Sequence, residues 1–116
     1  MILGIGIDTV ELDRFARALD RAPALLQRVF APAERELPLP SLAARFAARE
    51  AAVKALGGIH GLRLADFEVL RDEAGAPAFR VPPPLAAVLE RRGVRRLHLS
   101  LTHERHAAAA FAIAEG

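Results

Sequence analysis

Three segments of the chain alternate between two kinds of residue with the two-residue period of a β-strand. Residues 2–8 carry aliphatic side chains at the odd positions, with two glycines and then Asp8 at the even positions from 4. Residues 96–102 carry leucine at positions 97, 99 and 101, and residues 106–114 carry alanine at every even position from 108. Because a glycine or alanine face allows close approach to the backbone, we expect the alanine face to receive the longest helix. Asp8 is expected to close its strand at the mouth of a groove.

Four helices are predicted between and around these strands, over residues 10–22, 23–30, 41–56 and 83–92. Ser41 is placed to cap the third helix, and Gly57 with Gly58 is expected to end it. The prolines at 83 and 84 suit the first turn of the fourth helix, which Gly93 stops. A proline-punctuated connection over residues 31–40 separates the second helix from the third.

A β-hairpin is predicted between the third and fourth helices. Its strands cover residues 66–70 and 77–81, and residues 72–75 supply the turn. No internal repeat, low-complexity tract or shift in composition divides the chain. We therefore expect an α+β fold, a single domain over residues 1–116, with a long central helix packed on a mostly antiparallel sheet.

Composition narrows the class of protein. Hydrophobic residues make up 53% of the chain and charged residues 26%, which is typical of a compact domain rather than a disordered one. Cysteine is absent, so disulfides, thiolate metal sites and cysteine nucleophiles are excluded. The apolar run 107–114 is far shorter than the roughly 20 residues that span a bilayer. The first residues lack the basic segment of a signal peptide, so we expect a cytoplasmic protein.

The positive charge of the chain is carried almost entirely by arginine. The formal net charge is +2, and Lys54 is the only lysine among the 16 basic residues. A compact ammonium group is not interchangeable with a planar guanidinium group, which singles out Lys54 as a candidate functional residue.

Asp8 and Glu50 are the candidate catalytic carboxylates. Each falls where the local pattern predicts a buried or half-buried face, and two poorly solvated carboxylates favour a bound cation. Lys54, one helical turn beyond Glu50, favours an anionic substrate beside them. Simpler interpretations stay open: Glu50 and Lys54 at i, i+4 can form a surface ion pair worth about 0.3–0.5 kcal/mol. Asp8 with Glu11 can form a capping box.

Several other kinds of active site are excluded by spacing. The Gly4-x-Gly6 pair would need glycine or alanine at position 9 for a dinucleotide fingerprint, and Thr9 stands there. No Gly-Lys-Ser/Thr sequence is present, so there is no Walker loop. The only serines are Ser41 and Ser100, and neither lies in a nucleophile elbow.

Three arginines, Arg14, Arg17 and Arg21, form one basic stripe on the first helix. If Asp13 and Asp20 neutralise it, the stripe is an ordinary solvated face; otherwise it is a docking surface for an acidic partner. A nucleic acid is not the expected partner, because tyrosine and tryptophan are absent and no stacking platform is available. A basic nucleic-acid-binding domain would instead show strongly salt-dependent binding.

The end of the strand 96–102 brings two hydroxyl groups and an imidazole together in sequence. Ser100, Thr102 and His103 are either solvated at a turn or able to hold a phosphate group.

Taken in order, these motifs resemble the holo-acyl-carrier-protein synthases, the small phosphopantetheinyl transferases. The matching blocks are GIGID at 4–8 with Arg14, RFAAREAAVKALG at 45–57, LSLTH at 99–103, and Gly75-x-Pro77 in the hairpin. The likeness runs from end to end. Two departures are the short proline-stiffened connection at 35–41 and the loop 58–61, which lacks a hydroxyl residue.

The resemblance implies transfer of 4′-phosphopantetheine from coenzyme A to a serine of acyl carrier protein. It implies Mg²⁺ held by Asp8 and Glu50, which with Lys54 form the catalytic set, and a homotrimer with active sites between subunits. Lys54 would neutralise the departing bisphosphate. Further contacts to coenzyme A are expected from Arg45, Ser100, Thr102 and His103. The arginine stripe becomes the docking face for the carrier protein. The alternative is a non-enzymatic trimeric module that binds coenzyme A or a carrier protein.

Overall fold

The structure, a computed structural model, describes all 116 residues. Five strands and four α-helices follow one another as β1 (Ile2–Glu11), α1 (Leu12–Arg21), α2 (Ala24–Val29), α3 (Leu39–Ala55), β2 (Val69–Arg71), β3 (Pro77–Phe79), α4 (Pro83–Arg91), β4 (Arg96–His103) and β5 (Ala107–Glu115). Short 3-10 helices occupy Pro32–Glu34 and Leu64–Asp66. This arrangement confirms the α+β prediction.

The main sheet is antiparallel and has the strand order β1-β5-β4. The alanine-rich helix α3 lies against one face of it, as the strand patterns predict. The four even-numbered alanines of β5 are buried there, and the leucines of β4 pack beside them. A β-carbon added at Gly6 would collide with the Ala51 carbonyl oxygen, and one at Gly4 would collide with that of Ala55. The two glycines therefore allow the close approach of α3 to β1.

The opposite face of the main sheet is open. Ile7 is 61% exposed, and Leu3, Ile5 and Phe111 are also exposed on that side. Large aliphatic and aromatic side chains on one uncovered sheet face mark a surface that favours contact with another chain.

The first strand is longer than predicted. Asp8 does not close β1, which continues to Glu11 because β5 offers pairing partners as far as Ala107. Helix α1 therefore begins at Leu12, and the residue before it, Glu11, makes no capping hydrogen bond through its side chain. The interpretation of Asp8 and Glu11 as a capping box is wrong, because Asp8 lies within the strand.

The long helix begins earlier than predicted. Helix α3 starts at Leu39 with Pro40 in its first turn, where the missing N–H of proline costs no hydrogen bond. Ser41 lies inside the helix and does not cap it. At the other end the prediction is confirmed, because Gly57 adopts a positive φ of 76° immediately after the cap residue Leu56.

The remaining elements follow the sequence pattern. Strands β2 and β3 form the predicted antiparallel hairpin, although they are shorter than predicted and Asp66 lies in a 3-10 turn before it. Helix α4 starts at Pro83, and Gly93 with a φ of 70° follows its end. No helix is both long and apolar enough to cross a membrane.

Candidate active site

Lys54 of α3 reaches across to β1 and contacts Asp8. Its Nζ lies 3.3 Å from Oδ1 of Asp8 and donates a second hydrogen bond of 2.9 Å to the carbonyl oxygen of Ile7. Asp8 is placed for this contact because it lies on the same sheet face as the two glycines, the face that α3 covers. Lys54 forms no ion pair with Glu50, so the interpretation of these two residues as a surface pair at i, i+4 is wrong.

Glu50 lies half-buried beside Asp8. Burial raises the pKa of the Glu50 carboxyl group, the charge of Asp8 raises it further, and Lys54 lowers it. Carboxylates from two different elements therefore line one cleft and repel each other, and the single ammonium group nearby is hydrogen-bonded to Asp8. Their mutual repulsion is what a bound cation would relieve.

These carboxylates line a cleft of about 640 Å³ between β1, α1 and α3. Its walls include Asp8, Glu11, Arg14, Phe15, Phe46 and Glu50. The rings of Phe15 and Phe46 pack with their centroids 5.4 Å apart and form the apolar part of the wall. The cleft thus combines carboxylate groups, an apolar wall and the guanidinium group of Arg14.

The donor set at the cleft fits Mg²⁺. No group of three or more histidine, cysteine, aspartate or glutamate side chains is assembled anywhere in the chain, so the protein offers two carboxylates at this point. Mg²⁺ is commonly held by one or two carboxylates while water and substrate phosphates supply the other ligands. A dedicated calcium cage would require more protein oxygens.

Arg45 lies apart from this cleft, on a buried part of α3. Its Nε is 3.7 Å from Oε2 of Glu34 and has no hydrogen-bond partner. Burial lowers the pKa of the Arg45 guanidinium, Glu34 raises it, and the charges of Arg71 and Arg49 lower it. Within one chain, Arg45 therefore contributes to the buried contacts of Glu34 and does not line the carboxylate cleft.

Ser100 and Thr102 lie on the open face of the sheet, away from α3. With Ile7 and Phe111 they line a recess of about 120 Å³. Asp8 pairs with Ala110 and points to the other face, so one copy of the chain does not bring these hydroxyl groups to the carboxylate cleft. His103 is exposed at the end of β4 and does not line the cleft either.

The predicted basic stripe is exposed along α1. Arg14, Arg17 and Arg21 form no ion pairs, so Asp13 and Asp20 do not neutralise the stripe through direct contacts. Arg14 also lines the carboxylate cleft, so the stripe begins at the candidate active site.

Sequence reasoning missed a buried ionic network that supports α3. The carboxylate of Glu34 accepts hydrogen bonds from the backbone N–H groups of Ala31 at 2.9 Å and Val69 at 3.1 Å, and from both terminal nitrogens of Arg49. Arg49 also donates from Nε to the Leu64 carbonyl oxygen at 2.9 Å. No local pattern reveals this network, because its members come from distant segments of the chain.

Comparison with known proteins identifies the family. The chain belongs to the 4′-phosphopantetheinyl transferase superfamily, which it matches over residues 4–113. It is 56% identical over 116 residues to a holo-[acyl-carrier-protein] synthase of Clavibacter michiganensis subsp. michiganensis, covering 100% of this chain and 98% of the relative.

Solved structures give the same result. The crystal structure of holo-[acyl-carrier-protein] synthase from Neisseria meningitidis has a TM-score of 0.93 and 37% identity, with 100% of both chains covered. The Helicobacter pylori enzyme in complex with coenzyme A has a TM-score of 0.84 and 26% identity, covering 96% of this chain and 99% of that one. The family, fold and enzyme class predicted from the sequence are confirmed.

Proposed function

We propose that this chain, acting as one catalytic domain over residues 1–116, transfers 4′-phosphopantetheine from coenzyme A to a serine of apo-acyl carrier protein. The observation that carries the proposal is the convergence of Asp8 and Glu50 in one cleft, with Lys54 hydrogen-bonded to Asp8. In a chain that belongs to this superfamily, the two carboxylates supply ligands for a metal ion, and Lys54 supplies a positive charge for the anionic substrate. Holo-acyl carrier protein and adenosine 3′,5′-bisphosphate are the products.

Asp8 and Glu50 would hold Mg²⁺. When bound, the ion would orient the pyrophosphate of coenzyme A and offset its negative charge. The serine oxygen of the carrier protein forms a bond to the β-phosphorus as the bond from that phosphorus to the bisphosphate breaks. The serine proton passes through water to Asp8 or Glu50. Lys54, which donates hydrogen bonds to the Ile7 carbonyl oxygen and to Asp8, would neutralise the departing bisphosphate.

Remaining contacts to coenzyme A are assigned to Arg45, Ser100, Thr102 and His103. Ser100 and Thr102 lie on the sheet face opposite Asp8, so they can serve the reaction only if a second copy of the chain brings them to the cleft. A homotrimer with active sites between subunits meets that requirement, and the exposed Ile5, Ile7 and Phe111 give it an apolar surface. A cytoplasmic location stays a prediction.

The docking site for the carrier protein is assigned to the stripe of Arg14, Arg17 and Arg21. These guanidinium groups are exposed and unpaired, and Arg14 joins the stripe to the carboxylate cleft. Unpaired surface cations speed association with an acidic partner and orient it. The carrier serine would then arrive beside Asp8 and Glu50.

The deciding experiment is intact-mass measurement of apo-acyl carrier protein incubated with the chain, coenzyme A and Mg²⁺. A mass gain of one phosphopantetheine group, abolished by EDTA and by Asp8→Asn or Glu50→Gln, is expected. Asp13→Asn and Glu90→Gln remove exposed carboxylates of the same types and are expected to leave the gain unchanged. Coenzyme A binding without any mass gain, tested with several carrier proteins, would favour the non-enzymatic binding module instead.

A further inference from the structure

A second and larger cleft lies on the far side of Leu25 from the carboxylates. It has a volume of about 890 Å³ and is formed by the end of α2, the two 3-10 helices and the residues flanking β2 and β3. Its charged lining consists of Arg28, Arg35, Arg63, Arg80, Asp66 and Glu68. We call it the arginine groove. Leu25 lines both this groove and the carboxylate cleft, so the two surfaces are continuous.

The charges of the arginine groove are layered. The side chain of Arg63 is 78% exposed and pairs at 3.1 Å with Asp66, which is only 8% exposed. Arg80 is 62% exposed and lies 3.6 Å from Glu68, which is 13% exposed. Both carboxylates therefore lie beneath the guanidinium groups, and the surface offered to a partner is cationic.

Two further arginines add charge that no carboxylate balances. Arg35 donates from Nε to the Phe30 carbonyl oxygen and from Nη2 to the Gln27 carbonyl oxygen, both at 3.1 Å. Arg28 is exposed and forms no ion pair. Because Arg35 and Arg63 are held by the protein itself, little side-chain freedom remains to be lost when an anion binds.

Resting on the proposed function, we infer that the arginine groove is a second docking surface for the carrier protein and binds an acidic segment of it. A partner whose serine reaches the Asp8–Glu50 cleft continues past Leu25 onto this groove. The chemistry favours acidic side chains of a protein over a compact phosphate group. Apolar Leu25, Val29 and Leu64 line the groove beside the arginines, and Asp66 and Glu68 beneath them would repel a multiply charged anion inserted deeply.

The test reverses charge at the rim. Arg63→Glu, Arg80→Glu and the double variant are compared with Arg91→Glu, an equal charge change on the exposed end of α4. The double variant is expected to raise the KM for acyl carrier protein about tenfold. Two attractive contacts with acidic side chains of the carrier protein would be lost, and two repulsive contacts would replace them. The kcat and the KM for coenzyme A should stay at the wild-type values. Arg91→Glu should leave all three unchanged.

Equilibrium binding keeps this inference separate from the transfer reaction. Fluorescence anisotropy of labelled apo-acyl carrier protein, at low and high salt, reports docking whether or not the chain turns over. Thermal melting checks folding, and Arg63→Gln with Arg80→Gln provides a milder pair that removes charge without adding repulsion. Carrier affinity equal to wild type in the folded double variant overturns the inference. A raised KM for coenzyme A alone also overturns it, because the groove would then bind the nucleotide. A wild-type chain that binds carrier protein without transferring the group would refute the proposed reaction. The docking inference would then still be tested by the carrier affinity of the Arg63 and Arg80 variants.

Discussion

The ammonium group of Lys54 lies 3.3 Å from the carboxylate of Asp8, and this contact joins the last turn of α3 to the middle of β1. It leaves Glu50, one turn back on α3, without an ion-pair partner. The two carboxylates of the cleft are therefore unequal: Asp8 is hydrogen-bonded to a cation, whereas burial and the charge of Asp8 raise the pKa of Glu50. A cation that binds between them would stabilise the ionised form of Glu50 more than that of Asp8, because Asp8 already has a cationic partner in Lys54.

The first prediction concerns the metal-free protein. Because its pKa is raised, Glu50 binds a proton more tightly in the folded state than in the unfolded state. Ionised Glu50 therefore costs stability progressively as pH rises from the ordinary pKa of glutamic acid through the raised one. In EDTA at neutral pH, Glu50→Gln should raise the melting temperature by a few degrees. Below the ordinary pKa, the difference from wild type should vanish.

Two comparisons give that result its meaning. Glu90→Gln, at an exposed position of α4, should not change the melting temperature at either pH. Added Mg²⁺ should raise the melting temperature of the wild-type protein and have little effect on Glu50→Gln, since a ligand stabilises only the state that binds it. Equal stabilisation of both proteins by Mg²⁺ would place the ion elsewhere.

The second prediction concerns the buried network around Glu34. Burial lowers the pKa of Arg49, and the carboxylate of Glu34 raises it. Removing one partner of a buried ion pair is costly, because the other charge then stays buried without compensation. Glu34→Gln should lower the free energy of unfolding by about 3–5 kcal/mol in urea titrations. Arg80→Gln, which removes a guanidinium group that is 62% exposed and only 3.6 Å from Glu68, should cost less than about 1 kcal/mol.

A third substitution tests the contact between β1 and α3. Gly6→Ala adds a methyl group that meets the backbone carbonyl of Ala51, so the helix must move away from the strand. We expect a loss of about 1–3 kcal/mol or more in the free energy of unfolding. Gly61→Ala is the control: its β-carbon meets nothing, and only its positive φ of 78° is strained, at about 1 kcal/mol. Equal losses would show that α3 is not seated on Gly6.

The sequence predicts those parts of the fold that depend on local periodicity. The alternation of glycine in β1 and alanine in β5 was enough to place α3 on one sheet face, because side chains on a strand alternate regardless of context. The end of β1 was misplaced because pairing with Ala107, at the other end of the chain, extends the strand. Glu34 was missed for the same reason: its partners at residues 49 and 69 are brought together only by tertiary packing.

The candidate site divides in the same way. Asp8 and Glu50 were identified from their positions on patterned elements, and the structure brings them into one cleft. The partner of Lys54 was not predictable, because the competing residue Glu50 is close in sequence while Asp8 is close only in space. That Ser100 and Asp8 occupy opposite sheet faces follows from strand register, which no single strand reveals.

The last prediction tests whether active sites are shared between copies of the chain. If one copy supplies Asp8 and Glu50 and the next supplies Ser100 and Thr102, two defective variants can complement each other. Glu50→Gln and a Ser100→Ala/Thr102→Ala variant, each nearly inactive alone at low coenzyme A, are co-expressed in equal amounts. About one interface in four then combines two intact halves, so about a quarter of wild-type activity should return. Asp8→Asn mixed with Glu50→Gln is the matched control, since both changes affect the same half of the site and no interface is restored. Recovery in neither mixture, with both variants folded and associated, would show that the site is not shared between copies, whereas full activity of the Ser100→Ala/Thr102→Ala variant alone would place the hydroxyl groups of β4 outside the site.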